Sequence, residues 1–140
     1  MWISHLGDAI MNKLALAFFS VAPVYGLIGM VWGMVMGASG DHSMMPAHAH
    51  LNLLGLVLNG VFGAFYAFAG DRSGGKLGWA NFWLSNVAVV VMIPTLVIIL
   101  NLGGEPGPAQ IVPMTIAEIA AVLGLLLFGV NVWKLWKKAA

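Results

Sequence analysis

The chain contains no cysteine, which excludes disulfides, iron–sulfur clusters and thiolate metal sites. Charge is almost as scarce: Asp, Glu, Lys and Arg make up 8% of its 140 residues, against 61% hydrophobic. A water-soluble domain of this length cannot cover its surface with so few ionised groups. The formal net charge of +1 is too small for the basic field that nucleic-acid binding requires, so no nucleic-acid partner is expected. With a mean hydropathy of +0.94, the composition suits the lipid bilayer as solvent. One compact membrane domain over residues 1–140 is expected.

Four apolar runs stand out, at about Leu14–Gly37, His48–Ala69, Leu77–Leu100 and Thr115–Trp136. Each has roughly the 20 residues that a helix needs to cross the hydrocarbon core. The connections "GASGDHSMMP", "GDRSGGK" and "NLGGEPGPAQ" are short and rich in turn formers, so consecutive helices should be antiparallel neighbours. The expected fold is an all-α membrane protein, a four-transmembrane-helix bundle. All six Lys and Arg (Lys13, Arg72, Lys76, Lys134, Lys137, Lys138) then share one side, while the other two connections carry only Asp41 and Glu105. The positive-inside rule places both termini in the cytoplasm, in what is expected to be a bacterial inner membrane. Trp133 and Trp136 fall where an interfacial aromatic belt belongs. The opening "MNKLALAFFSVAPV" imitates a signal peptide, but its apolar run continues to Gly37. It is read as an uncleaved first helix, with residues 1–12 as a short amphipathic segment on the inner surface.

Most polar and small residues inside the runs have structural readings. Gly26, Gly29, Gly33 and Gly37 mark a face where another helix backbone approaches closely, and Met30, Met34 and Met36 fill core space. Thr115 and Glu118 have the spacing of a capping box at the start of the fourth helix, which would make Glu118 a cap rather than a proton carrier. Asn81, Ser85 and Asn86 are expected to form interhelical hydrogen bonds, and Pro94 to kink the third helix.

The second run differs. At about 100° per residue, His48, Asn52, Gly55, Asn59 and Tyr66 lie along one stripe, and His50, Leu54, Val57, Val61, Ala64 and Phe68 along another. Residues two apart point about 200° apart around a helix, so His48 and His50, if helical, cannot readily grip one ion together but could serve two sites, one on each flank. Three readings are open. Both histidines sit at the interface, wetted by outer water; or both are metal ligands; or the tract "DHSMMPAHAH" binds copper, with His42, Met44, Met45 and His48 as an outward-facing loop site of thioether and imidazole ligands.

The segment "PAHAHLNLLGLVLNGVFGAFYAF" resembles helices two and ten of subunit I of the haem–copper oxidase superfamily, which includes cytochrome c oxidases and nitric oxide reductases. In that family an Ala-His or Leu-His pair at the outer end of helix two supplies an axial ligand of the low-spin haem. An Ala-His-x-His motif in helix ten supplies ligands to two haems. Ala47-His48-Ala49-His50 looks like the second form, and His50-Leu51-Asn52-Leu53-Leu54 resembles helix two of nitric oxide reductases. The likeness extends loosely to the four-crossing, N-in plan, since the family's twelve helices form three pseudo-symmetric groups of four. It stops at the copper site: the third run, "LGWANFWLSNVAVVVMIPTL", corresponds to a family helix with a His-His pair and has no histidine, which leaves oxidase activity in doubt.

The resemblance implies a haem b protein, assembled as a homotrimer that reproduces the twelve-helix plan, with His48 of one protomer facing His50 of its neighbour across the iron. A dimer with two copies of helix two around one haem is the alternative assembly. Asn52 and Asn59 would support the haem or pack between helices, and Gly55 would make room for the macrocycle. Electron transfer to a redox partner, or sensing of a gas, would be the activity. The alternatives are the copper-binding loop and a structural subunit of a larger respiratory complex.

Overall fold

The computed structural model describes residues 12–70, 73 and 75–139. The amphipathic segment expected at the amino end falls on residues 1–12, of which only Asn12 is among those described, and Arg72 also lies outside them. The described residues form four helices long and apolar enough to cross a membrane: α1 (Lys13–Ser39), α2 (Met45–Ala69), α3 (Gly75–Asn101) and α4 (Pro108–Ala139). No strand occurs among them.

The chain runs up and down. Phe18 meets Phe62 across α1 and α2, Tyr66 bonds Asn81 across α2 and α3, and Asn81 bonds the Gly124 carbonyl across α3 and α4. Pairs that skip one helix keep matching levels, as in Tyr25–Asn86 and Tyr66–Asn131. Lys13, Lys76 and Lys134–Lys138 therefore gather at one end of the bundle. The loop Gly40–Met44 and the α3–α4 connection lie at the other.

A buried aromatic cluster lies toward the basic end. Leu14, Ala15, Phe18, Phe62, Tyr66 and Phe82 form the buried cluster, with Phe65 and Phe128 against it. Phe18 lies 5.5 Å from Tyr66 in a stacked pair and 5.1 Å from Phe82 edge-on, arrangements favoured by the ring quadrupole. In lipid, burying apolar area drives little, so close packing and interhelical hydrogen bonds must hold the helices together. Asn81 and Asn86 supply them, as their position in an apolar run suggests, whereas Ser85 accepts from Asn81 within the same helix at 3.4 Å. Asn81 donates to the Gly124 carbonyl at 2.8 Å and Asn86 donates to Asn59 at 3.2 Å. Among the described residues no buried side-chain polar atom lacks a partner.

The helix ends add one tertiary contact and overturn one expectation. Asn12 caps α1, accepting from Ala15 N–H at 2.8 Å, and its amide also donates to the carbonyls of Tyr66 and Gly70 at 2.8 and 3.1 Å. One side chain thus ties the start of α1 to the end of α2. The capping box assigned to Thr115 and Glu118 is overturned, because α4 begins at Pro108 and both residues lie inside it, exposed. Proline is well suited to a first helical position, and Gln110 accepts from Gly107 N–H at 3.2 Å, doing the work given to Glu118. Pro94 stands inside a continuous α3, where the neighbouring Thr95 hydroxyl donates to the Val91 carbonyl at 2.7 Å.

Candidate histidine site at the outer end of α2

The loop before α2 closes on itself. Gly40 ends α1 with φ 69°, a left-handed conformation that glycine adopts without a Cβ clash. The Asp41 carboxylate accepts from Ser43 N–H at 2.9 Å. These Ser43 bonds hold the Asp41 carboxyl below its ordinary range. Met45 then starts α2 with Pro46 in its first turn, and the histidines follow within the first two turns.

His50 stands exposed on the outer flank. Its Nδ1 lies 2.7 Å from the Pro46 carbonyl. A carbonyl only accepts, so Nδ1 carries a proton in this contact, and a neutral ring would hold its lone pair on Nε2. Below it, Leu53, Val57, Val61 and Phe68 form an apolar face open to lipid or to another chain.

His48 turns the opposite way, as two-residue spacing on a helix requires. It is half-buried against α1, edge-on to Trp32 with 6.5 Å between ring centroids. A Cβ placed on Gly33 would stand 2.9 Å from its Cε1. The Asn52 amide nitrogen is 3.3 Å from each ring nitrogen of His48 and 3.0 Å from its carbonyl oxygen. The ring's two in-plane directions diverge, so one donor equidistant from both points along neither, and the carbonyl is its aligned acceptor.

The glycines of α1 make this approach possible. A Cβ on Gly29 would overlap the Asn52 amide, and one on Gly26 would stand 2.9 Å from Leu56. Gly37, at the same spacing, has nothing within 4 Å. The space beside Gly55 is filled from within the chain by Tyr25, whose Cβ would stand 2.7 Å from an added methyl.

Between the histidines and the inner half, α2 departs from α geometry. Leu51–Leu58 is a π-helix, with hydrogen bonds spanning five residues instead of four. The stripe read at a uniform 100° per residue accordingly divides. His48, Asn52 and Gly55 face α1, whereas Asn59 is fully buried against Asn86 of α3. Asn59 donates to the Leu54 carbonyl at 2.9 Å, and Tyr25 donates to Asn86 at 2.9 Å. Of the five residues grouped in the sequence, the structure brings His48 and Asn52 together with Trp32 and Gly33. It places Asn59 in interhelical packing. Trp32, Tyr25 and Pro46 were not singled out; the first two are ordinary aromatics in an apolar helix, and nothing in the sequence distinguishes them.

The copper-loop residues have separate neighbours. His42 Nδ1 lies 3.0 Å from the Gly40 carbonyl, Met44 Sδ accepts from Asn101 at 3.8 Å, Met45 is exposed, and His48 faces Gly33. Among the described residues no three His, Asp or Glu side chains gather where they could hold one ion.

Compared with protein-family models, curated proteins and solved structures, the chain matches none of them.

Proposed function

We propose that the chain is a haem b-binding protein of a bacterial inner membrane, with the basic end of the bundle in the cytoplasm and the histidines near the outer face. It would act in electron transfer or gas sensing. One observation carries this reading above the others: His50 is exposed with its Nδ1 engaged by the Pro46 carbonyl, which orients the ring and leaves Nε2 as the nitrogen available to a metal. That is the arrangement by which proteins present imidazole to a metal.

The donor set suits iron in a porphyrin better than a bare ion. Two imidazoles on opposite flanks of one helix cannot converge, but each can occupy an axial position of a different macrocycle. A haem on the His50 flank would lie along Leu53, Val57 and Val61, an apolar surface. A second imidazole for that iron would come from another copy, where His48, half-buried beside Trp32, is the matching group. This is the basis for a homo-oligomer, a trimer by the resemblance of "PAHAHLNLLGLVLNG" to the oxidase helices. The haem would supply the redox or gas-binding chemistry. The chain supplies ligands, orientation and an apolar surround. Gly55 and Asn59 are left to packing.

The test is the absorption spectrum of the protein purified from membranes with haem supplied. A Soret band with low-spin features is the expected result. A protein that takes up no haem and carries copper instead would shift the assignment to the His42–Met45 loop. One that binds neither would leave the histidines structural.

A further inference from the structure

We infer that Asn59 is a positioning residue for the histidine pair: its amide holds the π-helical segment Leu51–Leu58, and that segment sets the direction in which His48 and His50 leave α2. As a statement about ligands this rests on the haem reading above; as a statement about where the rings point it stands alone.

The segment LNLLGLVL has no local reason to widen. Leucine is a good α-helix former, and one glycine lowers helix propensity without favouring a five-residue turn. The cause is tertiary. A π turn replaces the four-residue ladder by five-residue bonds, so contacts from outside that ladder decide whether it persists. Two asparagines add side-chain bonds at the segment. Asn52 donates to the His48 carbonyl at 3.0 Å above the segment, and Asn59 donates to the Leu54 carbonyl at 2.9 Å within it. Asn59 is itself fixed, because its Oδ1 accepts from Asn86, whose own Oδ1 accepts from the Tyr25 hydroxyl. Tyr25 packs on Gly55, at the middle of the segment. A chain of three side chains thus joins α1, α3 and the widened turn.

The consequence lies one to two turns away. A π turn holds one residue more than an α turn, so returning one such turn to α geometry rotates the outer end of α2 against its inner end by about 100° and moves it by about 1.5 Å. The inner end cannot follow, since Phe62 and Tyr66 are locked in the aromatic cluster. His48 would swing off Gly33 and Trp32, and the flank offered by His50 would change with it.

Solid-state NMR of the haem-free protein in lipid bilayers tests this. The probe is the carbon–carbon contact between Gly33 Cα and His48 Cε1. Asn59→Ala should abolish it. Asn59→Asp should keep it, because a carboxyl at this lipid-buried position stays neutral, donating to the Leu54 carbonyl and accepting from Asn86. Asn81→Ala is the control; Asn81 is as deeply buried and hydrogen-bonded, but to Gly124, Ser85 and the Tyr66 hydroxyl at the inner half, and its loss should leave the contact in place. A contact that survives Asn59→Ala, or that Asn81→Ala removes equally, overturns the inference. If Asn59→Ala yields no folded protein, Tyr25→Phe reads the same link, keeping the ring on Gly55 and deleting only the hydroxyl. Amide exchange over Leu56–Asn59 should then accelerate relative to Val97–Leu100, and unchanged exchange overturns the inference. None of these measurements uses haem. Loss of the contact in Asn59→Ala alongside a wild-type protein that takes up no haem would uphold the positioning role and reject the haem reading.

Discussion

Asn131 of α4 donates to the Tyr66 hydroxyl at 3.1 Å, and that hydroxyl donates onward to Asn81 of α3 at 3.2 Å. One oxygen therefore joins α2 to both helices of the other pair. Tyr66→Phe keeps the ring in the cluster but leaves Asn81 Oδ1 and Asn131 Nδ2 without this partner in a buried site. The expected loss is about 1–3 kcal/mol, read as a lower melting temperature in detergent. Phe65→Leu, at the edge of the cluster, should cost less. Equal stability of Tyr66→Phe and wild type would show that the hydroxyl contributes nothing.

The glycine spacing of α1 conceals two environments. Gly33→Ala puts a methyl against His48, whereas Gly37→Ala meets open space. Gly33→Ala should destabilise by about 1–3 kcal/mol, the usual range for overpacking, and disturb any low-spin haem spectrum. Gly37→Ala should leave both unchanged. Identical thermal behaviour of the two variants would contradict the packing described.

Glu118 lies well inside α4 and is exposed, while Gln110 occupies the capping position. Glu118→Ala should therefore cost no helix stability. Gln110→Ala should cost roughly 0.5–1 kcal/mol through the lost bond to Gly107. Amide exchange over the first turn of α4 distinguishes them: faster exchange is expected only in the Gln110 variant.

The Asp41 carboxyl is held low by its bonds from Ser43. A depressed folded-state value means that the turn's stabilisation is present above the carboxyl's unfolded value and is lost as pH falls through the folded one. The Ser43 amide should accordingly be protected near neutrality and released in acid. Asp41→Asn retains an accepting oxygen and should keep the turn without the pH dependence. An NMR titration of the Ser43 amide that shows no acid step would rule out the bond.

Complementation between histidine variants tests the proposed bridge between copies. His48→Ala and His50→Ala should each remove one axial ligand from every haem, moving the spectrum toward five-coordinate or losing the cofactor. Mixed before assembly, the two variants can still pair an intact His48 with an intact His50 at some interfaces. Partial recovery of the low-spin spectrum in the mixture is expected. No recovery, together with one silent substitution, would point to a haem held within a single chain.

What could be read directly from the sequence follows from solvent. Four long apolar runs separated by Gly- and Pro-containing turns can satisfy their backbone in lipid only as helices, and their short connections require an up-and-down order. The interhelical bonds of Asn81 and Asn86 were legible for the same reason, because a polar side chain in an apolar run must find a partner; Ser85, grouped with them, pairs with Asn81 of its own helix. The opposite flanks of His48 and His50 followed from their two-residue spacing on a short α-helical stretch. The true start of α4 was hidden because Pro108, Gln110 and Pro113 read as loop until Gly107 and Gln110 are seen to cap one another. The π-helix at Leu51–Leu58 was hidden more deeply. No helix propensity of those eight residues widens the turn, and the side-chain bonds at it come from Asn52 within it and from Asn59 beyond it, the latter anchored by Asn86 and Tyr25. Local spacing fixes which way neighbouring side chains diverge; only contacts between residues far apart in the chain decide where a helix departs from its period, and so which of its residues share a face.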